Sequence, residues 1–336
     1  MRCRVASLVP ADRPTFAHPL RSLRRAARGL RTPRSHCGRR AGARPAPHPR
    51  VRRLVPFGSR YPLAAYFALA YAVSWAFWAP AVLAQTGWIA PVPSRYLHLL
   101  GGLGPMLAAI ALTARISGRA ALANLARRCV TGGPWLAVAL LIPAALFVLA
   151  AVIVSVGYGE AIDWSNVGRS TELPELPRPA YWLATLVFYG FGEEVGWRGF
   201  ALPRLRLRAS ALRASVVLAF AWAGWHLPLF VFADGLSSLG PAGAAGWFVS
   251  LVLGSILLTW LFEASAGSVG AVALFHASLD IFITSPVTAG DEIANVMGAL
   301  LTVGALGLAT VMALGTATRR QERNVDAQPG MDSFVP

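Results

Sequence analysis

From Tyr61 onward the chain is a succession of apolar runs separated by short polar stretches. A helix crossing roughly 30 Å of hydrocarbon needs about 20 residues. Eight runs have about that length: 62–83, 96–114, 134–157, 180–202, 212–233, 243–263, 267–286 and 293–316. The pattern predicts an all-α fold, a polytopic membrane helix bundle of about eight transmembrane helices over residues 61–318, followed by a polar tail at 319–336. Acids stand well inside only two of the runs, the fourth and the seventh.

The connections set an orientation. Arg115, Arg119, Arg127 and Arg128 follow the second run, Arg204, Arg206, Arg208 and Arg213 the fourth, and Arg319, Arg320 and Arg323 the eighth. The alternate connections are poor in arginine, with Arg95 in one and Arg169 and Arg178 in the 158–179 loop. Basic residues stay on the cytoplasmic side of a bilayer. The alternation therefore predicts a multi-pass protein of the cell membrane with both termini cytoplasmic. The 158–179 loop, with Glu160, Asp163, Glu172 and Glu175, is the longest external connection and is expected along the outer surface.

Composition fits this picture. Of the 336 residues 55% are hydrophobic and 14% charged, against about 25% charged in an ordinary soluble domain. The net charge of +16 comes almost wholly from residues 1–60, which hold 16 arginines against one acid, Asp12. That Arg/Pro-rich stretch has no helical period and no apolar core of a signal peptide. It is expected to be a disordered arm or sequence upstream of a misplaced start. It lacks the folded scaffold and aromatics of a nucleic-acid module, so no nucleic-acid partner is expected. Cys3, Cys37 and Cys129 are scattered and form neither a zinc spacing nor a disulfide framework.

The chemistry lies in the stretch "GFGEEVGWRGF", 190–200. Ionisable groups inside a bilayer cost several kcal/mol on most scales and usually face a partner or a wet cavity. Glu194 and Arg198 are one turn apart and can pair along their helix. Glu193 points about 100° away and is not satisfied by the same arginine. His226 lies in "AWAGWHLPLF"; His276 lies in "ALFHASLDIF" with Asp280 one turn on. Counting about 1.5 Å per residue, Glu193, His226 and His276 all fall in the middle of the bilayer, where they can converge on one polar cavity. Trp197, Trp222 and Trp225 are expected as its walls, and the glycines of 190–199 as close-packing positions. His98 has no acidic neighbour in sequence and reads as interfacial or packing.

A carboxylate beside a histidine can deprotonate a positioned water, and a second histidine can stabilise an oxyanion. Glu193, His226 and His276 could instead hold Zn²⁺. The residues leave both open, so the cofactor expectation is none or zinc. HExxH, GxSxG, P-loop and dinucleotide signatures are absent. A proton-coupled transporter and a catalytically idle scaffold compete with a peptidase.

"EEVGWR" at 193–198 resembles the EExxxR motif of the CPBP intramembrane peptidases, the CAAX-processing and bacteriocin-processing family. "WAGWH" at 222–226 resembles its FxxxH, with Trp222 in place of phenylalanine. "GSVGAVALFHASLD" at 267–280 resembles its last motif. The resemblance covers about 180–285. It implies a conical cavity open toward the cytoplasm and an endopeptidase acting on membrane-associated peptides or proteins in the lipid bilayer. It also implies Glu193 as base with His226 on the same water, His276 and Asp280 on the oxyanion, and Glu194 and Arg198 as supports.

Reporter fusions after residues 170 and 238 are expected to read external; a cytoplasmic reading at either position overturns the eight-span arrangement.

Overall fold

The computed structural model describes residues 61–233 and 236–326, with side chains to 315. The arm at 1–60 and the end of the polar tail lie outside the described residues, and so do the expectations placed on them. Among the described residues every regular element is helical.

All eight predicted runs are helical. α1 is Pro62–Gln85. The second run is divided into α2, Ser94–Gly101, and α3, Gly104–Val130. α3 continues well past the predicted end at 114, so its arginines lie on a helix rather than in a loop. The helix is interrupted at Gly118, whose φ of 78° suits a residue without Cβ. α4 is Pro134–Tyr158. α6 is Ala211–Trp225, followed by the short α7, Leu229–Phe232. α8 is Pro241–Ala264, α9 Val269–Ile283 and α10 Glu292–Asp326. Five stretches are long and apolar enough to cross a membrane, while α6 and α9 are shorter apolar helices. The chain is thus a polytopic helical membrane bundle.

The fourth run, α5, departs most from a regular helix. It is assembled from Arg178–Thr185, a π segment Leu186–Phe191, one α turn Gly192–Gly196, a second π segment Trp197–Ala201 and Leu202–Leu205. Each π segment widens the coil and re-aims the side chains after it; such insertions recur at functional sites. The single α turn between them carries both glutamates.

α5 runs through the middle of the bundle. Residues 192–202 are all buried. This is possible because its backbone touches its neighbours directly. A Cβ on Gly190 would lie 2.7 Å from the Ala273 carbonyl oxygen of α9, and one on Gly192 2.6 Å from that of Gly102 between α2 and α3. Around it, Tyr66 of α1 stacks on Phe200 at 5.0 Å and meets Trp197 edge-on at 5.7 Å. Trp225 donates its indole N–H to Ser74 Oγ, and Ser74 donates to the Gly101 carbonyl, both at 2.7 Å, which joins α6, α1 and α2.

α6 stops early for a local reason. Pro228 has no N–H, and its ring conflicts with the carbonyl four residues back. The helix therefore ends at Trp225. The carbonyl of Trp225 is taken by the Trp75 indole at 3.0 Å, and the carbonyl of Ala221 by the Tyr71 hydroxyl. α9 begins on a matching device: Gly267 adopts φ 87°, and the Ser268 hydroxyl caps the Ala271 N–H at 2.9 Å. This gives the Gly-Ser start of the third motif its physical reason.

The 158–179 loop is pinned at several points. Asp163 N–H donates to the Val287 carbonyl at 2.8 Å and Gly168 N–H to Ser285 Oγ at 2.9 Å. The Tyr96 hydroxyl donates to Glu175 at 2.6 Å. Donation from Ser165, side chain and backbone, holds the Asp163 carboxyl below its ordinary range.

Gly190→Ala must push two backbones apart. It is expected to lose about 1–3 kcal/mol, the usual cost of overpacking, read as a lowered melting temperature in detergent. Gly246→Ala, where a Cβ meets nothing within 4 Å, is expected to leave melting nearly unchanged.

Candidate active site

α5, α6 and α9 meet around Glu193, Glu194, Trp222, His226 and His276. Glu194 and Arg198 are fully buried and paired along α5, Nη1 to Oε1 at 2.8 Å, at the spacing expected from the sequence. The same oxygen also faces His276 Nδ1 at 2.9 Å. One carboxylate oxygen therefore holds two partners, one on its own helix and one on α9. Glu194 Oε2 and Arg198 Nε and Nη2 have no hydrogen-bond partner among the described residues.

His276 stands between two acids. Its Nε2 lies 3.6 Å from Asp280 Oδ2, one turn on along α9. Glu194, from another helix, is the nearer of the two partners. The Asp280 contact is longer than a hydrogen bond, so Nε2 is the less committed ring nitrogen.

Glu193 turns away from this pair, as the 100° offset requires. Its Oε2 accepts from the Trp222 indole N–H at 2.6 Å and from the Trp197 indole N–H at 3.3 Å. Among the described residues its Oε1 makes no hydrogen bond. The expected neighbour, His226, is not its hydrogen-bond partner. His226 sits at the end of α6 and turns back on its own helix, Nδ1 to the Trp222 carbonyl at 2.8 Å. A carbonyl only accepts, so Nδ1 carries the proton and Nε2 is the ring's acceptor.

Trp222 is therefore more than a wall. Besides Glu193, its ring carries the Arg198 guanidinium 4.9 Å from its centroid and meets His276 edge-on at 5.5 Å. The signal was present in the sequence: tryptophan has an N–H where phenylalanine has none.

Glu193, Trp222, His226, His276 and Asp280 all line one cavity of about 440 Å³, while Glu194 and Arg198 lie behind its wall. His98 lines it too. The sequence expectation for His98 is corrected: Glu172, from the 158–179 loop, lies 2.6 Å from its Nδ1. Contact across 74 residues through a loop leaves no local pattern to read.

The zinc alternative needs a cluster of donors. Among the described residues no group of three His, Cys, Asp or Glu side chains is placed to hold a metal ion. As placed, Glu193, His226 and His276 do not form such a group.

Residues 175–282, which contain all three motifs, match the family model described as type II CAAX prenyl endopeptidase Rce1-like. The matched segment carries the three motifs that resemble the CPBP family. The CAAX prenyl protease 2 of Methanococcus maripaludis is 26% identical over 147 residues, 42% of this chain and 52% of that protein. The chain spans about half the length of that relative. The matched segment runs from α5 to α9 and supplies Glu193, Trp222, His226, His276 and Asp280, while α1, α2 and α10 add Trp78, His98 and Leu301 to the cavity wall.

Glu194→Gln and Arg198→Ala each strand a buried partner. Removing one member of a buried pair costs roughly 3–5 kcal/mol, so both variants are expected to melt far earlier in detergent. Replacing the two together by leucine and methionine is expected to recover part of the loss, and only part, since His276 Nδ1 stays unpaired.

Proposed function

We propose that the protein is an intramembrane endopeptidase in which Glu193 is the general base for a water molecule. The observation that carries this reading is the state of Glu193: a carboxylate on a cavity wall, one oxygen fixed by two indole donors and the other without a hydrogen bond among the described residues. Such a group is oriented but not consumed by structure. His226 supplies a second acceptor, Nε2, on the same wall.

The reaction follows from these positions. A water held by Glu193 Oε1 and His226 Nε2 attacks the carbonyl carbon of a peptide bond and gives a proton to Glu193. His276 donates its Nδ1–H to Glu194, so it serves the developing oxyanion as the imidazolium, whose second proton on Nε2 has only a distant partner in Asp280. Glu194 holds the opposite nitrogen of that ring and so fixes its direction. The C–N bond then breaks as Glu193 returns the proton to the leaving nitrogen, which yields a carboxylic acid and an amine. Leu251, Leu257, Leu279 and Leu301 line the same cavity and suit an apolar chain beside the scissile bond. The substrate class is a membrane-associated peptide or protein.

Glu193→Gln keeps volume and hydrogen bonding but removes basicity. It is expected to lower turnover of a quenched membrane-peptide substrate by about 10²–10⁴-fold, the range for a general base, with melting temperature nearly intact. Trp222→Phe, which matches the family motif, removes the shorter indole bond and is expected to lower kcat more than it raises KM. Near-normal cleavage by Glu193→Gln defeats the assignment and moves weight to the transporter or scaffold readings.

A further inference from the structure

The part of α3 beyond its interruption differs from the part before it. Gly118 breaks the helix; residues 119–130 carry three arginines, whereas 104–114 carry none. Leu122, Leu125, Arg128 and Cys129 are buried or half-buried, while Arg119, Ala123, Arg127 and Val130 are exposed. The exposed positions recur every three or four residues, so they share one helix face. The inward face rests on α5: a Cβ on Gly199 would lie 2.9 Å from a Leu125 methyl.

More arginine gathers at the same end of the bundle. Arg128 Nε donates to the Gly267 carbonyl at 2.8 Å and its Nη1 to the Gly199 carbonyl at 3.4 Å. Arg206 pairs with Glu263 at the end of α8 and donates to the Ala209 carbonyl at 2.7 Å. Arg128 and Arg206 therefore flank the turn between α8 and α9, one from α3 and one from the connection between α5 and α6. Other arginines here are not spent on the protein. Arg115, Arg119, Arg208 and Arg213 are exposed and make no side-chain hydrogen bond among the described residues. Arg127, also exposed, reaches Asn124 on its own helix. Residues 104–130 and 197–216 contain no acid, and Glu263 is the one acid of 256–271. Leu207 and Val130, 81% and 78% exposed, stand among these arginines.

We propose that this end of the bundle binds the phosphate of anionic phospholipid headgroups, through the exposed face of 119–130 and through residues 204–213. Uncompensated arginines at the end of membrane-spanning helices attract anionic lipid, and the guanidinium fork matches phosphate oxygens in pairs. The exposed apolar residues favour a lipid over a partner in water. Leu207 and Val130 beside arginines fit the boundary between headgroups and acyl chains, where an amphipathic helix lies. A nucleic acid would engage the arginines and leave both apolar side chains in water. Arg128, adjoining the exposed face, already spans from α3 to the carbonyls of Gly199 and Gly267. Lipid held here therefore fastens α3 across the ends of α5 and α9, whether or not the protein cleaves peptides.

The test uses the full chain, purified in a neutral detergent and mixed with a phosphatidylglycerol that carries a photoactivatable diazirine near its headgroup. Cross-linked peptides are mapped by mass spectrometry, which separates these segments from the arginines of 1–60. Labelling of 119–130 and 204–213 is expected, competed by unlabelled phosphatidylglycerol but not by phosphatidylcholine, and weakened by salt as exposed ionic contacts are. Arg119→Gln with Arg127→Gln, and Arg208→Gln with Arg213→Gln, are each expected to weaken phosphatidylglycerol competition at their segment about tenfold. Arg95→Gln with Arg169→Gln, also exposed, is expected to leave it unchanged. Melting temperature in detergent alone checks folding; if a pair fails that check, the single changes Arg119→Gln and Arg208→Gln replace it, each with an expected loss of about fivefold. Equal competition by the two lipids overturns the proposal. So does unchanged labelling in both arginine pairs, or an equal loss in the Arg95 and Arg169 pair. A short single-stranded oligonucleotide that displaces the photolipid at lower concentration than phosphatidylglycerol does overturns it in favour of nucleic acid.

Discussion

A single oxygen atom, Glu194 Oε1, ties the site together. It accepts from Arg198 on its own helix and faces His276 on α9. A charge withdrawn from water is tolerable only when paired and hydrogen-bonded. With Glu194 and Arg198 fully buried, neither can relax toward solvent, so the two helices have one workable mutual setting. His276 is held in place by the same contact. Glu193, displaced by one residue, then has to face elsewhere, and elsewhere is the cavity.

That division needs α5 to be an unusual helix. A regular α-helix would carry its side chains at a steady advance, and adjacent glutamates would share their surroundings with residues three and four away. The π segments on either side of Gly192–Gly196 decouple the glutamate turn from the rest of α5. The glycines let α9 and the α2–α3 junction approach near enough for Glu194 to reach His276. Trp222 closes the arrangement, touching Glu193, Arg198 and His276 with one ring.

Much of this was legible beforehand, and what was not has physical causes. The eight segments follow from hydropathy alone. The Glu194–Arg198 pair follows from helical spacing. So does Trp197, four residues after Glu193, although an aromatic residue in an apolar run reads as packing and its N–H is easily discounted. The Glu194–His276 contact joins two helices and has no trace in either sequence. The same holds for His98 and Glu172. The π segments are invisible to periodicity, since they add residues without changing composition. Pro228 did announce a break, yet a 22-residue apolar run from 212 to 233 masks it.

The break at Pro228 reaches beyond its own helix. It leaves peptide carbonyls at the end of α6 with weakened or missing helical partners, and hydrocarbon offers no replacement. Trp75 on α1 takes up that of Trp225, and Tyr71, one turn before it, donates to the Ala221 carbonyl within α6. Neither residue belongs to the segment that carries the family's motifs. The three signature sequences therefore do not constitute a self-sufficient module: the histidine that ends α6 keeps its place because a helix a hundred and fifty residues upstream lends it two donors. A fragment cut to the family boundaries would retain every reactive group and lose the frame that aims one of them.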